Sequence, residues 1–312
     1  MTDPEQLRFD GRVALVTGAG GGLGRAHALL LAERGAAVVV NDLVSPTMGG
    51  QQHDAGPAER VAAEIRAAGG AALSNSDSVT TREGGTRMVQ AAIDEFGQLD
   101  ILVNNAGIIR NRTFLNIGPD ELEPVLDVHL KGAFFVTQPA YEHMKSRKYG
   151  RIVNTSSGSG LFGSFGQSAY AAAKMALVGL TKTLALEGGR YGIATNAVAP
   201  GALTRMTGDV LGDDSPAAEL LGRSGSSLEA MMGPHQVAPV VAYLSHEDCS
   251  LNGETLSAAG GRVARLFVAA ARGVKHDTLL LEDVAAEIET IVDETGYIVP
   301  RDVDQELGLL FR

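Results

Sequence analysis

A glycine-rich turn near the start of the chain constrains the fold more than any other feature. The apolar run VALVT (residues 13–17) leads into GAGGGLG (residues 18–24), and the helical stretch RAHALLLAERG follows at once. Glycines allow a tight turn and let backbone N–H groups approach a pyrophosphate at the start of a helix. The spacing is G-x-x-x-G-x-G rather than G-x-G-x-x-G. The predicted dinucleotide contacts in this turn are Gly18, Gly20, Gly22, Leu23 and Gly24.

Short apolar runs alternate with longer amphipathic stretches along the rest of the chain. Several runs are nearly continuous Val, Ile, Leu or Ala, which is typical of strands buried on both faces. Regular β-α alternation indicates one parallel sheet with helices on both sides. We therefore predict an α/β fold, a doubly wound seven-stranded parallel Rossmann sheet over residues 1–261. Residues 262–312 are expected to form a helical arm, packed on the same domain or on a neighbouring subunit.

Composition excludes several classes of function. The net charge of −11 lacks the basic footprint that nucleic acids require. Cys249 is the only cysteine, which fits a reducing compartment. The N-terminus has no apolar signal segment and no run of 18 apolar residues occurs, so we expect no membrane span and a cytoplasmic location. The seven histidines lack a metal-ligand spacing and there is no G-x-S-x-G elbow, so we predict neither a metal site nor a serine hydrolase.

Polar residues at the ends of the next apolar runs extend the predicted nucleotide site. Asp42 ends the second run, where a carboxylate can accept both ribose hydroxyls and repel a 2′-phosphate, so NAD is favoured over NADP. The alternative is an ordinary strand-end turn residue. After the third run, Asp77 can accept the adenine amino group, with Ser78 beside it. The fourth run ends in Asn104-Asn105-Ala106-Gly107, whose asparagines can brace the sheet and whose Gly107 can admit the nicotinamide ribose. Asn105, Ala106 and Gly107 are the predicted cofactor contacts there.

A tyrosine, a lysine and a serine form the candidate chemical site. Tyr170 and Lys174 share one face of a predicted helix at i,i+4 spacing, and Ser157 ends the fifth run 13 residues earlier. The positive charge of Lys174, with a second from an oxidised nicotinamide ring, is expected to lower the pKa of Tyr170 from about 10 toward neutrality, so that the phenol acts as acid or base. The Ser157 hydroxyl can orient a substrate oxygen. Without Ser157, the tyrosine and lysine would equally suit an amphipathic helix.

These motifs together resemble the classical short-chain dehydrogenase/reductase family over about residues 8–261. The match comprises residues 17–24, residues 104–107, the candidate Ser–Tyr–Lys set and the pair Pro200 and Gly201. The resemblance implies an NAD-dependent oxidoreductase that interconverts a secondary alcohol and a ketone. It also implies that Tyr170 and Lys174 contact the cofactor, as do Pro200 and Gly201, and that Thr204 approaches the carboxamide.

The segments NNAGIIRNRTF, DVHLKGAFFVT and YGRIVNTSSGSGLFGSFGQSAYAAAK resemble the (3R)-hydroxyacyl-CoA dehydrogenase unit of peroxisomal multifunctional enzyme type 2. The hydratase and sterol-carrier domains of that enzyme are missing, so the chain resembles a stand-alone bacterial relative. His129 stands where most classical members have Asn, and the subgroup has His. A packing role and a role in a catalytic proton relay remain open for His129.

The resemblance favours a 3-hydroxyacyl-CoA as substrate. A hydroxysteroid or other lipophilic alcohol is the alternative, since the apolar residues Leu161, Phe162 and Phe165 suit either. A non-catalytic nucleotide-binding protein is a second alternative. The family assembles as dimers or tetramers through the helix that here carries Pro124 and Pro139, so a homo-oligomer is expected, with kinks at the prolines. Residues 208–233, where the family has its substrate lid, show no recognisable motif.

Overall fold

A parallel sheet forms the centre of the computed structural model, which describes residues 6–43, 56–202 and 232–308. Within those ranges the sheet has eight strands in the order β3-β2-β1-β4-β5-β6-β7-β8, and β1 to β7 pair in parallel. The strands are β1 (Val13–Thr17), β2 (Ala37–Asn41), β3 (Ala72–Asn75), β4 (Ile101–Asn104), β5 (Gly150–Thr155), β6 (Ile193–Gly201), β7 (Thr255–Ala259) and β8 (Arg262–Leu266).

The α/β prediction is confirmed, but the sheet has one strand more than the seven predicted. The sequence analysis assigned Arg262–Leu266 to the helical arm, whereas the structure forms β8 there. Gly260 and Gly261 connect β7 to β8 with φ values of 55° and 79°. Two consecutive residues with positive φ make the tight turn of a hairpin, so β8 runs back along β7 at the edge of the sheet.

Helices that lie before residue 266 cover both faces of this sheet. They are α1 (Gly22–Glu33), α2 (Pro57–Ala67), α3 (Arg82–Phe96), α4 (Pro119–Leu126), α5 (Gly132–Arg147), α6 (Gly158–Phe162), α7 (Ser168–Gly188) and α8 (Ala238–Ser245). Three short helices follow nearer the C-terminus: α9 (Leu281–Ala286), α10 (Ile288–Ile291) and α11 (Val303–Leu307). Side chains of the strands alternate between two apolar layers. In β1, Val16 packs in the layer with α1, α2 and α8, while Leu15 packs in the layer with α3 and α5. The core therefore lies on both sides of the sheet.

Helices α4 and α5 are joined by a π-helical turn, Asp127–Lys131. The sequence predicts kinks at Pro124 and Pro139, and the structure places these prolines inside α4 and α5. Pro139 cannot donate a hydrogen bond to the carbonyl of Phe135, one turn earlier. Gly85 of α3 lies against this carbonyl, because a Cβ added to Gly85 would be only 2.2 Å from Phe135 O. Helices α3 and α5 thus approach closely at Gly85, next to the Phe135 carbonyl, whose usual helical donor is absent because residue 139 is a proline.

The chain divides into two compact units, Met1–Arg265 and Leu266–Arg312. The second unit contains α9, α10 and α11 and a bridge that joins Ala270 to Ile298. None of its described residues is buried. In the part of the chain that the structure covers, no helix combines the length and the hydropathy needed to cross a membrane.

Replacing Gly85 with Ala is expected to lower the free energy of unfolding by about 1–3 kcal/mol, because the new methyl group overpacks the contact between α3 and α5. Urea denaturation of parent and variant measures the difference. Gly189→Ala is the matched control: Gly189 has helical backbone angles, and its new Cβ would lie 3.7 Å from the nearest atom. Equal losses in the two variants would contradict the close approach.

Candidate active site

The glycine turn between β1 and α1 lies at the carboxyl edge of the sheet, where parallel α/β folds bind ligands. Gly18 and Gly22 have φ values of 63° and 53°. A Cβ on Gly24 would lie 2.2 Å from Gly18 O, so the turn closes only with glycine at that position. Gly21 is the N-cap of α1 and contributes no side-chain cap. The first N–H groups of α1 therefore have no side-chain acceptor and can bind an anion.

Thr17 and Asn105 hold this turn against the end of β4. The Thr17 hydroxyl accepts hydrogen bonds from the backbone N–H groups of Asn105 (3.0 Å) and Ala106 (3.1 Å). The Asn105 side-chain amide donates to the carbonyls of Thr17 (2.9 Å) and Gly18 (3.1 Å). A Cβ on Gly18 would lie 2.7 Å from the Cα of Ala106. The predicted cofactor segments after β1 and β4 are thus in direct contact.

Two carboxylates lie farther along the same edge. Asp42, after β2, accepts a hydrogen bond from the Gly20 N–H at 2.8 Å, which places it beside the turn as predicted. Asp77, after β3, accepts from Arg87 (2.6 Å) and from Asn75 (2.8 Å), so this carboxylate also organises its own loop. The neighbouring Ser78 hydroxyl bonds with the hydroxyl of Thr80 at 2.8 Å.

A chain of buried amides and hydroxyls links the middle strands to α7. The Asn104 amide donates to Thr137 Oγ1 and to Asn154 Oδ1, both at 2.9 Å. Asn154 of β5 donates in turn to Thr181 Oγ1 at 2.9 Å. The sequence indicated that Asn104 braces the sheet. The extension of this brace through Asn154 into the helix of Tyr170 was not predicted, because nothing in the local sequence around Asn154 pairs it with Thr181.

Ser157, Tyr170 and Lys174 meet at the ends of β5 and α7. The Ser157 side chain lies close enough to the Tyr170 phenol to lower its pKa, and Ser157 caps α6 by accepting from the Ser159 N–H at 3.2 Å. Lys174 is only 2% exposed, and its ammonium group donates to the carbonyl of Thr155. The ammonium nitrogen lies 5.5 Å from the centroid of the Tyr170 ring. The three predicted catalytic side chains therefore form one cluster.

Burial shifts the pKa values of this cluster in opposite directions. It lowers the pKa of Lys174 to about 7, because a dry environment disfavours an ammonium ion. Burial also raises the pKa of Tyr170, and the Ser157 side chain opposes this rise. In the polypeptide by itself the pKa of Tyr170 is thus raised, because desolvation of the phenol has the largest effect. The depression expected from the sequence includes the charge of an oxidised nicotinamide and stays a prediction for the cofactor-bound protein.

His129 lies on the π-helical turn and contacts this cluster through Tyr170. It is 3% exposed, and its ring meets the Tyr170 ring edge to face, with 5.2 Å between centroids. Its Nε2 is 2.7 Å from Ile108 O. Burial lowers the pKa of His129 to about 3, helped by the nearby Lys174 charge. The imidazole is therefore neutral at physiological pH.

The last predicted cofactor contacts lie at the end of β6 or beyond it. Pro200 and Gly201 are the final residues of this strand, and Gly201 packs against Ala259, since an added Cβ would lie 2.7 Å from the Ala259 Cβ. Thr204 and nearly all of the lid segment 208–233 lie outside the described residues. Among the residues that the structure does describe, no cluster of His, Cys, Asp or Glu could hold a metal ion.

Exposed apolar side chains on two loops beside Ser157 were only partly predicted. Phe162 (75% exposed) is the last residue of α6 and Phe165 (93% exposed) follows it, while Phe114 and Leu115 lie on the connection after β4. The Arg112 N–H donates to Gly166 O at 2.8 Å and joins the two loops. Only Leu161, Phe162 and Phe165 were predicted from sequence, because Phe114 and Leu115 are far from Ser157 along the chain.

A glycine turn at the start of a helix and a Ser–Tyr–Lys cluster lie at the carboxyl edge of one parallel sheet, where α/β folds bind ligands. This arrangement is typical of α/β oxidoreductases that bind a nucleotide.

Comparison with known proteins identifies the family. The family model for short chain dehydrogenases matches residues 12–214. Peroxisomal multifunctional enzyme type 2 of Mus musculus is 43% identical over 307 residues, which cover 97% of this chain and 39% of that protein. A Mycobacterium tuberculosis protein named hydroxyacyl-CoA dehydrogenase ChsB1 is 37% identical over 263 residues, 82% of this chain and 79% of that protein.

Among solved structures, full-length peroxisomal multifunctional enzyme type 2 from Drosophila melanogaster superposes with a TM-score of 0.78 at 37% identity, over 98% of this chain and 49% of that chain. The chain belongs to the short-chain dehydrogenase family, and it is an oxidoreductase of that family with an NAD(P) cofactor. It spans 39% of the length of the Mus musculus protein and 49% of the Drosophila melanogaster chain.

The buried lysine makes the stability of the fold depend on pH. Between about pH 7 and its ordinary pKa of 10.5, the unfolded chain binds more protons at Lys174 than the native protein does, so native stability rises with pH in this window. Lys174→Met removes this dependence. We expect the stability of the parent relative to Lys174→Met to increase as pH rises from 7 to 10, measured by urea denaturation at each pH.

Lys182→Met, on the same helix, controls for the loss of one lysine. A stability difference between parent and Lys174→Met that stays constant over this pH range would contradict a buried, neutralised Lys174.

Proposed function

We propose that this protein is an NAD-dependent dehydrogenase that interconverts a 3-hydroxyacyl-CoA and a 3-oxoacyl-CoA. The observation that carries the proposal is the Ser157–Tyr170–Lys174 cluster, with its lysine 2% exposed, beside the glycine turn. A solvated lysine would interact weakly with the phenol, whereas a charge in a low-dielectric site acts strongly. The same edge of the sheet therefore offers a dinucleotide site and an acid–base group.

The residues of the turn fit a dinucleotide. A Cβ on Gly20 would lie 2.5 Å from Pro57 and 2.7 Å from the Asp42 carboxylate, so backbone rather than side chain lines the turn. The uncapped start of α1 would hold the pyrophosphate, and Asp42 would hold the ribose hydroxyls. When bound, the oxidised nicotinamide supplies the hydride acceptor and a positive charge.

Side chains of this protein would transfer the proton of the substrate hydroxyl. In alcohol oxidation, the Tyr170 phenolate accepts the proton of the substrate hydroxyl, and the Ser157 hydroxyl donates a hydrogen bond to the same oxygen. In ketone reduction, the Tyr170 phenol returns this proton. Lys174, held by Thr155 O, favours the phenolate when it carries its charge. Its pKa of about 7 means that this support strengthens as pH falls toward neutrality.

The preference for NAD rests on Asp42. Its carboxylate lies 2.8 Å from the Gly20 N–H, next to the position at which the ribose of a bound dinucleotide would lie. A negative charge there repels the 2′-phosphate of NADP and accepts hydrogen bonds from the free hydroxyls of NAD.

The substrate class rests on similarity and on the apolar loops. One relative at 37% identity is named a hydroxyacyl-CoA dehydrogenase. The exposed side chains of Phe114, Leu115, Phe162 and Phe165 lie on loops that adjoin the Ser157 segment, and they offer an apolar surface for an acyl chain. A hydroxysteroid would use the same surface, so kinetics must distinguish the two substrates.

We also propose that a second copy of the chain packs on α5 and α7. A groove of about 840 Å³ between these helices is lined by Phe134, Tyr141, Leu180 and Leu184, with Glu142, Lys145 and Glu187 at polar positions. Phe134 is 40% exposed. Apolar side chains flanked by charged ones are typical of a subunit interface. Of these two helices, α7 also carries Lys174, so the interface would brace the site.

The substrate proposal predicts that kcat/KM with NAD is at least about tenfold higher for a 3-hydroxyacyl-CoA than for a 17-hydroxysteroid, because the acyl thioester would exploit binding energy remote from the reacting carbon. NADH formation at 340 nm measures both reactions.

The cofactor proposal predicts that the same assay with NADP gives a kcat/KM at least about tenfold lower than with NAD. A higher value for the steroid, or for NADP, would overturn that part of the proposal.

The subunit proposal predicts that Gly179→Arg yields monomers in light scattering. Gly179 is an exposed position in the groove with no other atom within 4 Å of an added Cβ, so the arginine fits the monomer and blocks a partner. Gln90→Arg, on an exposed site of α3, is the control and should leave the assembly unchanged. An unchanged mass for Gly179→Arg would contradict this interface.

A further inference from the structure

His129 has a ring nitrogen that the site described above does not use. The residue is 3% exposed, and Nδ1 has no hydrogen-bond partner among the described residues. Its Nε2 lies 2.7 Å from Ile108 O, and the Ile108 backbone N–H points at the same nitrogen from 3.1 Å; a given tautomer can make only one of these two hydrogen bonds. The shorter contact favours the tautomer in which Nε2–H donates to Ile108 O. In that tautomer Nδ1 is a buried acceptor, which costs free energy if nothing donates to it.

A small cavity adjoins this imidazole. It measures about 10 Å³ and lies between the start of α5 and the ends of β1 and β4, with Thr17, Asn104, His129 and Ala133 in its wall. This volume corresponds to one water molecule, and a buried water needs two or more polar partners. His129 supplies one such partner.

Asn104 supplies the second partner. Its amide nitrogen donates to Thr137 and to Asn154, which uses both of its hydrogens. Its side-chain oxygen accepts no hydrogen bond from the residues that the structure describes. The Thr17 hydroxyl in the same wall is engaged, because it accepts from Asn105 and Ala106. Two residues of the cavity wall thus each have an unused acceptor, and a water has two hydrogens to donate.

We propose that one water molecule in this cavity donates to His129 Nδ1 and to the side-chain oxygen of Asn104, and that His129 is thereby a positioning residue for Tyr170 and Gly107. The water extends the buried chain from Asn104 through Asn154 to Thr181. It ties the π-helical turn to the strands and to the helix of Tyr170.

The contacts of the His129 ring show which groups it holds in place: the loop at Gly107 and the side chain of Tyr170. A Cβ on Gly107 would lie 2.5 Å from His129 Cε1, so this ring edge lies directly against the loop that follows β4. The ring also meets Tyr170 at 5.2 Å between centroids. Burial lowers the pKa of His129 to about 3, so the neutral ring keeps these contacts unchanged across the physiological pH range.

Two variants separate the two nitrogens. The amide of Asn occupies the place of Nδ1, and the amide of Gln occupies the place of Nε2. His129→Asn should therefore keep an acceptor for the water, while His129→Gln should keep the donor to Ile108 O and lose the water. A crystal structure at atomic resolution should show the water in the parent and in His129→Asn, within hydrogen-bond distance of Asn104, and not in His129→Gln.

Nitrogen NMR of the imidazole gives an independent readout. We expect Nδ1 to have the chemical shift of a hydrogen-bonded acceptor nitrogen and Nε2 that of a protonated nitrogen, at every pH from 5 to 9. Nδ1 carrying the proton, or no water between Nδ1 and Asn104 in the parent, would overturn the assignment. These readouts require no activity, so they remain decisive even if the proposed substrate is wrong.

Only the kinetic readout rests on the proposed function. His129→Gln should lower kcat about tenfold by loosening the geometry, with the KM for the alcohol changed less than about twofold and the shape of the pH–rate profile retained. His143→Gln, a histidine of α5 whose Nε2 accepts from the Leu99 N–H, is the control and should keep the parent kcat. Loss of one limb of the pH profile in His129→Gln would mean proton transfer by His129 and would refute the positioning role.

Discussion

The hydrogen bond from the buried Lys174 ammonium to the carbonyl of Thr155 is the interaction on which the site depends. It fixes the lysine of α7 to the end of β5, immediately before Ser157, and so sets the distance between the two elements that carry the catalytic groups. Burial makes this arrangement costly, as the lowered pKa of Lys174 indicates. A desolvated cation is also the group that best favours a phenolate on the next helical turn, so the same feature that costs stability serves the chemistry.

The polar network around this lysine explains how a cluster from separate segments keeps its geometry. Asn104 and Asn154 occupy paired positions on β4 and β5, and their amides pass hydrogen bonds across the strands and on to Thr181 of α7. The Asn105 side-chain amide donates to the backbone carbonyls of Thr17 and Gly18 and so holds the glycine turn in place. Since buried amides must be satisfied, these bonds leave little freedom at the carboxyl edge. A rigid edge positions a dinucleotide and a substrate oxygen together.

Much of this organisation could be predicted from sequence, because it depends on local patterns. Buried apolar runs, the glycine turn and the i,i+4 pair of Tyr170 and Lys174 each follow from spacing alone. Other features depend on tertiary contacts: the desolvation of the Tyr170 phenol, the contact of His129 with Gly107 and Ile108, and the pairing of β8. The strand β8 was missed because its partly exposed residues lack the apolar pattern of the buried strands. The cytoplasmic location stays a prediction.

In the proposed site, the charge of Lys174 and a bound oxidised cofactor together offset the burial that raises the pKa of Tyr170. Ultraviolet difference titration of the parent against Tyr170→Phe isolates the ionisation of this one phenol. We expect a pKa above the ordinary value of 10.0 for the protein alone, a marked fall when oxidised NAD is added, and a smaller fall on NAD addition in Lys174→Met. A phenol pKa that NAD leaves unchanged, or that NAD lowers equally in the parent and in Lys174→Met, would refute this role of the lysine.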